Sequence, residues 1–351
     1  MNDFPAADVG RGRSAPLRFL LVLSAFLTVL TLVATSLGSA GISILDVGIA
    51  LVGPVFGSRI EVDPIAHVIV WNFRLPRIAM AIVAGLGLAM SGATMQGVLR
   101  NPLVSPFTIG VSGGAVLGAS IAIVLGADMI GSGKYLIMTN AFLFAMGTSA
   151  LILGLGRLRG VTPEAFILVG IALMNFFSAF TALLQYIASE EQLSQVVHWT
   201  FGSLTGSSWG SVALVVTVLA LCFPLLMRLA WDLNTMAAGG DEVAVSLGVN
   251  CGRVRILAML LSSLMTATVI SFTGLIGFVG LVAPHITRQL VGSDHRSLIP
   301  LSGLVSAILL LLADTVGRNL FAPTIIPVGI VTAFIGAPFF FYLLMKGRKR
   351  G

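Results

Sequence analysis

WGSVALVVTVLALCFPLLMRLA, residues 209–230, carries one charged side chain, Arg228, in 22 positions. A helix rises about 1.5 Å per residue, so roughly 20 apolar residues cross the hydrocarbon core of a bilayer, which is about 30 Å thick. This stretch therefore predicts a membrane-spanning helix. The whole chain has the same character, because 57% of its 351 residues are hydrophobic and only 10% are charged, too few to cover a soluble surface.

Nine further stretches of this kind bring the predicted number of spans to ten. They lie at residues 17–37, 75–97, 106–126, 136–156, 163–187, 254–273, 274–290, 298–317 and 325–345. Two of them divide one long apolar run at Thr273–Gly274. Because the runs are continuous and do not alternate with polar residues, a β-barrel is disfavoured. We predict an all-α membrane protein with ten transmembrane helices.

The predicted helices form one transmembrane domain, residues 17–345. A tail of residues 1–16 precedes it, and a basic tail of residues 346–351 follows it. A cleaved signal peptide within residues 11–37 is the alternative for the first span, but its apolar part is too long. Asp63 and the proline after it could begin a short helix that leads into the second span.

Basic residues predict the orientation of the spans. An even number of spans puts both termini on one side of the membrane, and that side collects fifteen of the twenty Lys and Arg residues. The other side carries Arg59, Arg74, Arg77, Lys134 and Arg318. Since basic loops stay in the cytoplasm, both termini are predicted to be cytoplasmic. This uneven distribution of basic residues also explains the net charge of +6, so the charge does not indicate binding to nucleic acid.

A short segment of small residues, GGDEVAVSLGV at 239–249, interrupts the apolar runs on the predicted inner side. It lies in an insert that spans residues 231–252. Asp241 or Glu242 could cap a short helix, and Gly248 could end it. The chain has no phosphate-binding loop, because GSGK at 131–134 lacks the first glycine and the final hydroxyl of that motif. A motor that acts on this insert must therefore be another chain.

Polar side chains in the span 163–187 fall on one side of the predicted helix. At 100° per residue, the four side chains lie within one third of the circumference; they are Asn175, Ser178, Thr181 and Gln185. Polar groups in a span face either a water-filled path or neighbouring protein. The residues alone leave both interpretations open.

Other polar residues show no pattern typical of a catalytic or metal site. Asp314 precedes Arg318 by four residues, the spacing of an ion pair that could be structural or functional. The four histidines and two cysteines lack the spacing of metal ligands or of a disulfide framework. No catalytic residue, metal or cofactor is predicted in this chain.

Several motifs together resemble one family. They are RLPR at 74–77, RNPL at 100–103, GVSGGA at 110–115, LG at 247–248, GLIGFVGLVAPH at 274–285, DHR at 294–296, AD at 313–314, PVGIVT at 327–332 and GAP at 336–338. In this combination the chain resembles the permease subunit of the iron-siderophore, haem and cobalamin family of ATP-binding-cassette (ABC) importers. The resemblance extends from about residue 40 to the C-terminus.

The resemblance implies a fold, an activity and partners. The expected fold is that of a type II ABC importer permease with ten helices, in the bacterial inner membrane. The permease is not an enzyme, because ATP and magnesium bind in two cytoplasmic ATPase subunits. A second permease copy and a periplasmic binding protein complete the transporter. The expected substrate is a ferric-siderophore complex, moved by alternating access, with haem or cobalamin as the alternative.

The resemblance also implies roles for individual residues. Arginines at the positions of Arg74, Arg77 and Arg318 meet carboxylates of the binding protein in such permeases, which suits the bidentate guanidinium. In such permeases the span 163–187 lines the translocation cavity together with parts of the spans 106–126 and 325–345, so its polar stripe would face the path. The insert would seat in the ATPase, with small residues allowing close contact. The coupling residues are Gly240, Asp241, Glu242, Val243, Ala244, Leu247 and Gly248.

Two other classes of membrane protein remain to be weighed. A secondary transporter would need buried acids near the middle of the membrane, whereas Asp314 and Glu164 lie near the ends of their spans. A plain channel would need no structured insert. Both classes are therefore disfavoured.

Overall fold

The computed structural model describes residues 14–38, 43–56, 63–126, 133–158 and 162–347, and every regular element in these ranges is helical. The helices are α1 (Ser14–Ser36), α2 (Ile44–Phe56), α3 (Pro64–Ile69), α4 (Leu75–Val98), α5 (Val111–Ile121), α6 (Gly133–Leu158), α7 (Pro163–Ile187), α8 (Glu190–Thr200), α9 (Trp209–Ser246), α10 (Cys251–Thr273), α11 (Val279–Val291), α12 (His295–Asn319) and α13 (Val328–Gly347). The all-α prediction is confirmed. Arg59 and most of the two predicted tails lie outside the described residues.

Two π-helical turns modify this arrangement. Val70–Arg74 joins α3 to α4 in one continuous rod, and Ala122–Gly126 extends α5. The start of this rod is capped by Asp63, whose carboxylate accepts from the backbone N–H groups of Ile65 and Ala66. The short helix predicted after Asp63 is therefore present.

Seven helices within the described ranges are long and apolar enough to cross a membrane. They are Pro16–Ser36, Pro64–Val98, Tyr135–Leu158, Pro163–Ile187, Trp209–Ser246, Cys251–Thr273 and His295–Asn319. Val111–Gly126 and Val328–Tyr342 are shorter apolar helices, and α11 has 13 residues. Each predicted span thus has a helix, but ten full crossings stay a prediction.

The predicted span 274–290 begins later than expected. Its first residues are not helical, because Gly274 and Phe278 have φ values of 67° and 64°. The helix α11 therefore starts at Val279. The predicted span 106–126 likewise starts as α5 only after Gly110, which has a φ of 96°.

The helix α4 is the centre of the bundle. Nineteen of its 24 residues are buried, and it packs against α9, α10, α11 and α12. Small residues bring the backbones together: a Cβ on Gly92 would collide with the carbonyl oxygen of Gly280, and one on Gly85 would lie 2.7 Å from Cα of Ala307. Such close approach is typical of membrane helices, whose association depends on packing.

Candidate functional site

Three arginines and one aspartate form a buried group where α1 ends and α4 begins. Nη2 of Arg77 donates to Oδ1 of Asp314 at 2.8 Å and Nε donates to Oδ2 at 3.2 Å, in a bidentate pair between α4 and α12. Nε of Arg318, one turn further along α12, lies 3.1 Å from the same carboxylate without hydrogen-bond alignment. With Arg74, we call these residues the arginine cluster. The ion pair predicted between Asp314 and Arg318 is present, and Arg77 shares it.

The last turn of α1 closes the arginine cluster. Arg74 donates through Nη1 to the carbonyl of Thr35 at 2.8 Å, and Arg318 donates through Nη2 to that of Ala34 at 3.2 Å. The final carbonyls of a helix have no intrahelical partner and carry partial negative charge, so they suit guanidinium groups. The end of α1 therefore accepts hydrogen bonds from two of the three guanidinium groups of the cluster.

Burial distinguishes the arginine cluster from an ordinary surface patch. Arg74, Arg77 and Arg318 are 5, 7 and 6% exposed, and Asp314 is 1% exposed. The family resemblance implies that these arginines meet carboxylates of a binding protein. In this conformation they contact their own chain instead, and two guanidinium nitrogens, Nη2 of Arg74 and Nε of Arg318, have no hydrogen-bond acceptor.

The predicted insert contains a sharp bend followed by a short helical segment. Gly240 has a φ of 74° and a ψ of −174°, so α9 changes direction there, and the chain is helical again to Ser246. At the end, Gly248 has a φ of 88°, its N–H bonds to Val245, and the N–H of Val249 bonds to Ala244. This pattern is a Schellman motif, in which glycine readily adopts the left-handed conformation. Gly248 thus ends the segment as predicted.

The short segment exposes three apolar side chains. Val243, Val245 and Leu247 are 46, 60 and 69% exposed. Of the other predicted coupling residues, Glu242 and Gly248 are exposed, Gly240 makes the bend, Asp241 bonds to Arg255, and Ala244 is completely buried. The structure thus assigns Ala244 to packing. Val245, which sequence reasoning missed, is exposed because the segment beyond the bend leaves most of its circumference uncovered.

The part of the insert that precedes the bend at Gly240 is attached to the start of α12. Asn234 donates to Asp294 at 2.7 Å and accepts from the backbone N–H of His295 at 2.8 Å, and Arg296 lies over the ring of Trp231 at 4.2 Å. Burial raises the pKa of Asp294, but hydrogen bonds from Arg296 and Asn234 outweigh it and lower the pKa to about 2. The carboxylate is therefore ionised at neutral pH, and this contact is lost only as the pH falls from about 4 towards 2. Sequence reasoning missed this contact between α9 and α12.

The polar stripe of α7 divides between two environments. Thr181 is 7% exposed on the face that packs against α5 and α6, whereas Asn175 and Ser178 are exposed and Gln185 is half-buried. Asn175 donates to the carbonyl of Ile171 one turn earlier. The rest of the uncovered face of α7 is apolar and bulky; its large exposed residues include Leu168, Phe176, Phe180, Leu183 and Tyr186.

An aromatic cavity of about 550 Å³ lies between the start of α13 and the connection from α10 to α11. Its lining includes Phe107, Phe201, Phe278 and Phe334, and the other lining side chains are apolar or small, with Thr200 as the polar one. Phe278 has a φ of 64°, which is strained for a residue with a Cβ. Sequence reasoning missed this cavity, because its apolar residues look like any other part of a span.

The described residues contain no group of three or more His, Cys, Asp or Glu side chains that could hold a metal ion. The fold brings Arg74, Arg77 and Arg318 together. The insert and the polar stripe on α7 belong to other segments of the chain. The predicted site residues therefore fall into three separate groups, and the aromatic cavity is a further part of the candidate site.

Comparisons with known proteins identify the family. The model of the FecCD transport family matches residues 26–346. A predicted ABC transporter permease of Methanocaldococcus jannaschii is 48% identical over 81% of this chain and 83% of its own. The molybdate import permease of Haemophilus influenzae is 38% identical over 92% of this chain and 95% of its own.

Other relatives differ in the substrates for which they are named. The Fe(3+)-citrate import permease of Bacillus subtilis is 38% identical over 97% of this chain and 98% of its own, and relatives in Yersinia pestis and Halobacterium salinarum, 36 and 39% identical, are named for hemin and cobalamin. A solved structure, described as an inward-facing metal-chelate type ABC transporter, is 36% identical, covers 94% of this chain and 99% of its own, and has a TM-score of 0.82.

The resemblance seen in the motifs is thereby confirmed, together with the type II importer fold. Permeases of this kind are multi-pass proteins of the plasma membrane that work with separate ATPase and binding-protein subunits. The chain belongs to the FecCD transport family and is an ABC importer permease.

Proposed function

We propose that this permease moves an organic metal chelate, most simply a ferric-siderophore complex, from a binding protein outside to the cytoplasm. The aromatic cavity supports this substrate class. A bare oxyanion such as molybdate would lose hydration beside Phe107, Phe201, Phe278 and Phe334 without gaining hydrogen-bond donors, which costs free energy. A chelate instead presents the apolar surface of its organic ligand to such a wall.

The proposal places the aromatic cavity on the translocation path. It lies beside α13 and the start of α5, two of the helices that the family resemblance assigns to the path. Asn175, Ser178 and Gln185 would add a few polar groups to the same path from α7. The bulky apolar remainder of the uncovered α7 face would meet lipid or the second copy of the chain, because an apolar face is stable against either.

A competition experiment tests the substrate class. The permease is reconstituted in proteoliposomes with its ATPase subunits and binding protein, and ATP-dependent uptake is compared for a ferric hydroxamate, haem, cobalamin and molybdate. We expect uptake of the ferric chelate. Uptake of haem or cobalamin would retain the chelate class but change the substrate, whereas transport of molybdate alone would refute the proposal.

The arginine cluster is proposed as the docking site of the binding protein. The cluster contains three guanidinium groups and one carboxylate, which pairs with Arg77 and Arg318, so it keeps a surplus of positive charge that attracts carboxylates. Nη2 of Arg74 and Nε of Arg318 still lack acceptors. We propose that acidic side chains of the binding protein bond to these nitrogens, and that the last turn of α1 moves aside when they do.

The coupling insert is proposed as the contact with the ATPase. Val243, Val245 and Leu247 present an exposed apolar tip, and Glu242 adds a charge beside it. Such a tip fits a groove on a partner, since apolar anchors dominate the binding energy of an interface. This contact requires the insert, and with it both termini, to be cytoplasmic.

A further inference from the structure

The bend at Gly240, in the middle of the insert, is held by an ion pair within the chain. Asp241 directly follows Gly240, and both of its carboxylate oxygens accept from Nη2 of Arg255, at 2.7 and 2.6 Å. Arg255 lies on α10 and is 3% exposed. Asp241 therefore faces the protein, whereas its neighbour Glu242 is exposed.

The same carboxylate is linked to the end of α4. Nε of Arg255 donates to the carbonyl of Val98, the last residue of α4, at 3.4 Å. Nη2 of Arg100 lies 3.6 Å from Asp241, and a Cβ on Gly240 would lie 3.0 Å from Nη1 of Arg100. Arg100 itself has a φ of 48°, uncommon for a residue other than glycine. We call Asp241, Arg255 and Arg100 the Asp241 junction.

The junction and the contact before it hold the insert on both sides of its bend. Six residues before Gly240, Asn234 bonds to Asp294 and to the backbone of His295, which attaches α9 to α12. After the bend, Asp241 attaches the insert to α10 and α4. A displacement of the exposed tip must therefore either turn the backbone at Gly240 or pull on the junction.

We propose that Asp241 is a positioning residue, which transmits movement of the insert to α10 and α4 and does not itself contact the ATPase. This inference rests on the proposed function, in which the exposed tip of the insert binds the ATPase. With the junction intact, displacement of the tip reaches α4, the most buried helix of the bundle. Without it, Gly240 absorbs the displacement, because glycine rotates easily between left- and right-handed conformations. ATP hydrolysis and substrate movement then become uncoupled.

The test compares hydrolysis with transport in the assembled transporter. Asp241→Asn and Arg255→Gln are reconstituted with the ATPase subunits and the binding protein, and uptake of a radioactive ferric hydroxamate is measured per ATP hydrolysed. We expect the ATPase subunits to remain bound, while this ratio falls on the order of tenfold, the size of a typical coupling between sites. The exchanged pair, Asp241→Arg with Arg255→Asp, should recover most of the ratio. Asp232→Asn, which removes a carboxylate from α9 before the bend, is the matched control and should keep the wild-type ratio.

Two results would overturn this inference. A wild-type ratio in Asp241→Asn would show that the junction transmits nothing, and loss of the ATPase subunits from that variant would make Asp241 a contact residue. If Asp241→Asn gives no folded transporter, Arg100→Gln replaces it, because this side chain is 34% exposed; an unchanged ratio in that variant would also overturn the inference. If instead the proposed contact between the insert and the ATPase is wrong, the Leu247→Asp variant would retain its ATPase subunits.

Discussion

Asp314 is the only carboxylate within the arginine cluster, and both Arg77 and Arg318 depend on it. Removing one partner of a buried ion pair leaves an uncompensated charge, which typically costs about 3–5 kcal/mol. We therefore expect Asp314→Asn to lower the thermal unfolding temperature strongly in detergent. Asp46→Asn, which removes a carboxylate bonded only to the exposed Ser43, is the control and should unfold near the wild-type temperature. Equal temperatures for the two variants would contradict a structural role for Asp314.

A variant of Arg74 can test docking with little effect on folding, because its hydrogen bonds go to the carbonyls of Thr35 and Ser36 and not to Asp314. We expect Arg74→Glu to reduce stimulation of ATP hydrolysis by the binding protein about tenfold, since a carboxylate would face a carboxylate across the interface. Arg157→Glu, an exposed basic residue at the other end of the predicted topology, should leave stimulation intact. Full stimulation in Arg74→Glu would contradict docking at the cluster.

Sequence spacing identified only part of the arginine cluster. Arg318 follows Asp314 by one helical turn, so their pairing can be read from the sequence. The bidentate partner, Arg77, is 237 positions away. No local pattern joins such residues, and only the packing of α4 against α12 brings them together. The burial of these arginines could not be predicted for the same reason, because the sequence does not show that the last turn of α1 covers them.

At the scale of the elements, the most specific prediction concerns binding of the ATPase subunits to the insert. Leu247 is 69% exposed at its tip, so Leu247→Asp should remove the ATPase subunits without changing the fold. The association constant should fall by about thirtyfold or more, because truncation of a central apolar anchor costs about 2 kcal/mol or more. Co-purification of the subunits measures this. The control is Leu158→Asp, whose side chain is 82% exposed at the end of α6, and we expect it to retain the subunits.

The contact between α4 and α11 depends on glycine. A Cβ on Gly92 would collide with the backbone of Gly280, which cannot rotate away as a side chain could. Gly92→Ala should therefore reduce the yield of monodisperse protein in size-exclusion chromatography. Gly147→Ala on α6 is the matched control, because nothing lies within 4 Å of its added Cβ, and alanine favours a helix by up to about 1 kcal/mol. Equal yields from the two variants would refute this packing.

The helices were predicted well and their connections poorly. Long apolar runs identified α4, α7 and α10 to within a few residues, since the membrane sets a minimum length for each. The start of α11 was misplaced by five residues, because Gly274 and Phe278 leave the helical conformation inside an unbroken apolar run. Residues 190–200 form α8 behind a capping box made by Ser189 and Gln192, a helix that was not among the predicted elements.

At the scale of the whole molecule, hydropathy does not distinguish lipid from protein. The spans within Pro64–Val98 and Pro163–Ile187 have similar mean hydropathies of 1.8 and 2.1, but 78% of the first and 22% of the second are buried. Lipid tails and the interior of a helix bundle are equally apolar, so composition predicts that a helix spans the membrane without predicting what it contacts. The central place of α4 and the open face of α7 could therefore be learned only from the fold.

Uptake driven by ATP is the most direct test of this account. Proteoliposomes that contain the permease, its ATPase subunits and ATP are given the binding protein loaded with a radioactive ferric hydroxamate. We predict uptake that requires both ATP and the binding protein, persists when ion gradients are dissipated, and is lost in Leu247→Asp. Uptake that continues without ATP and stops when the ion gradients are dissipated would contradict the account.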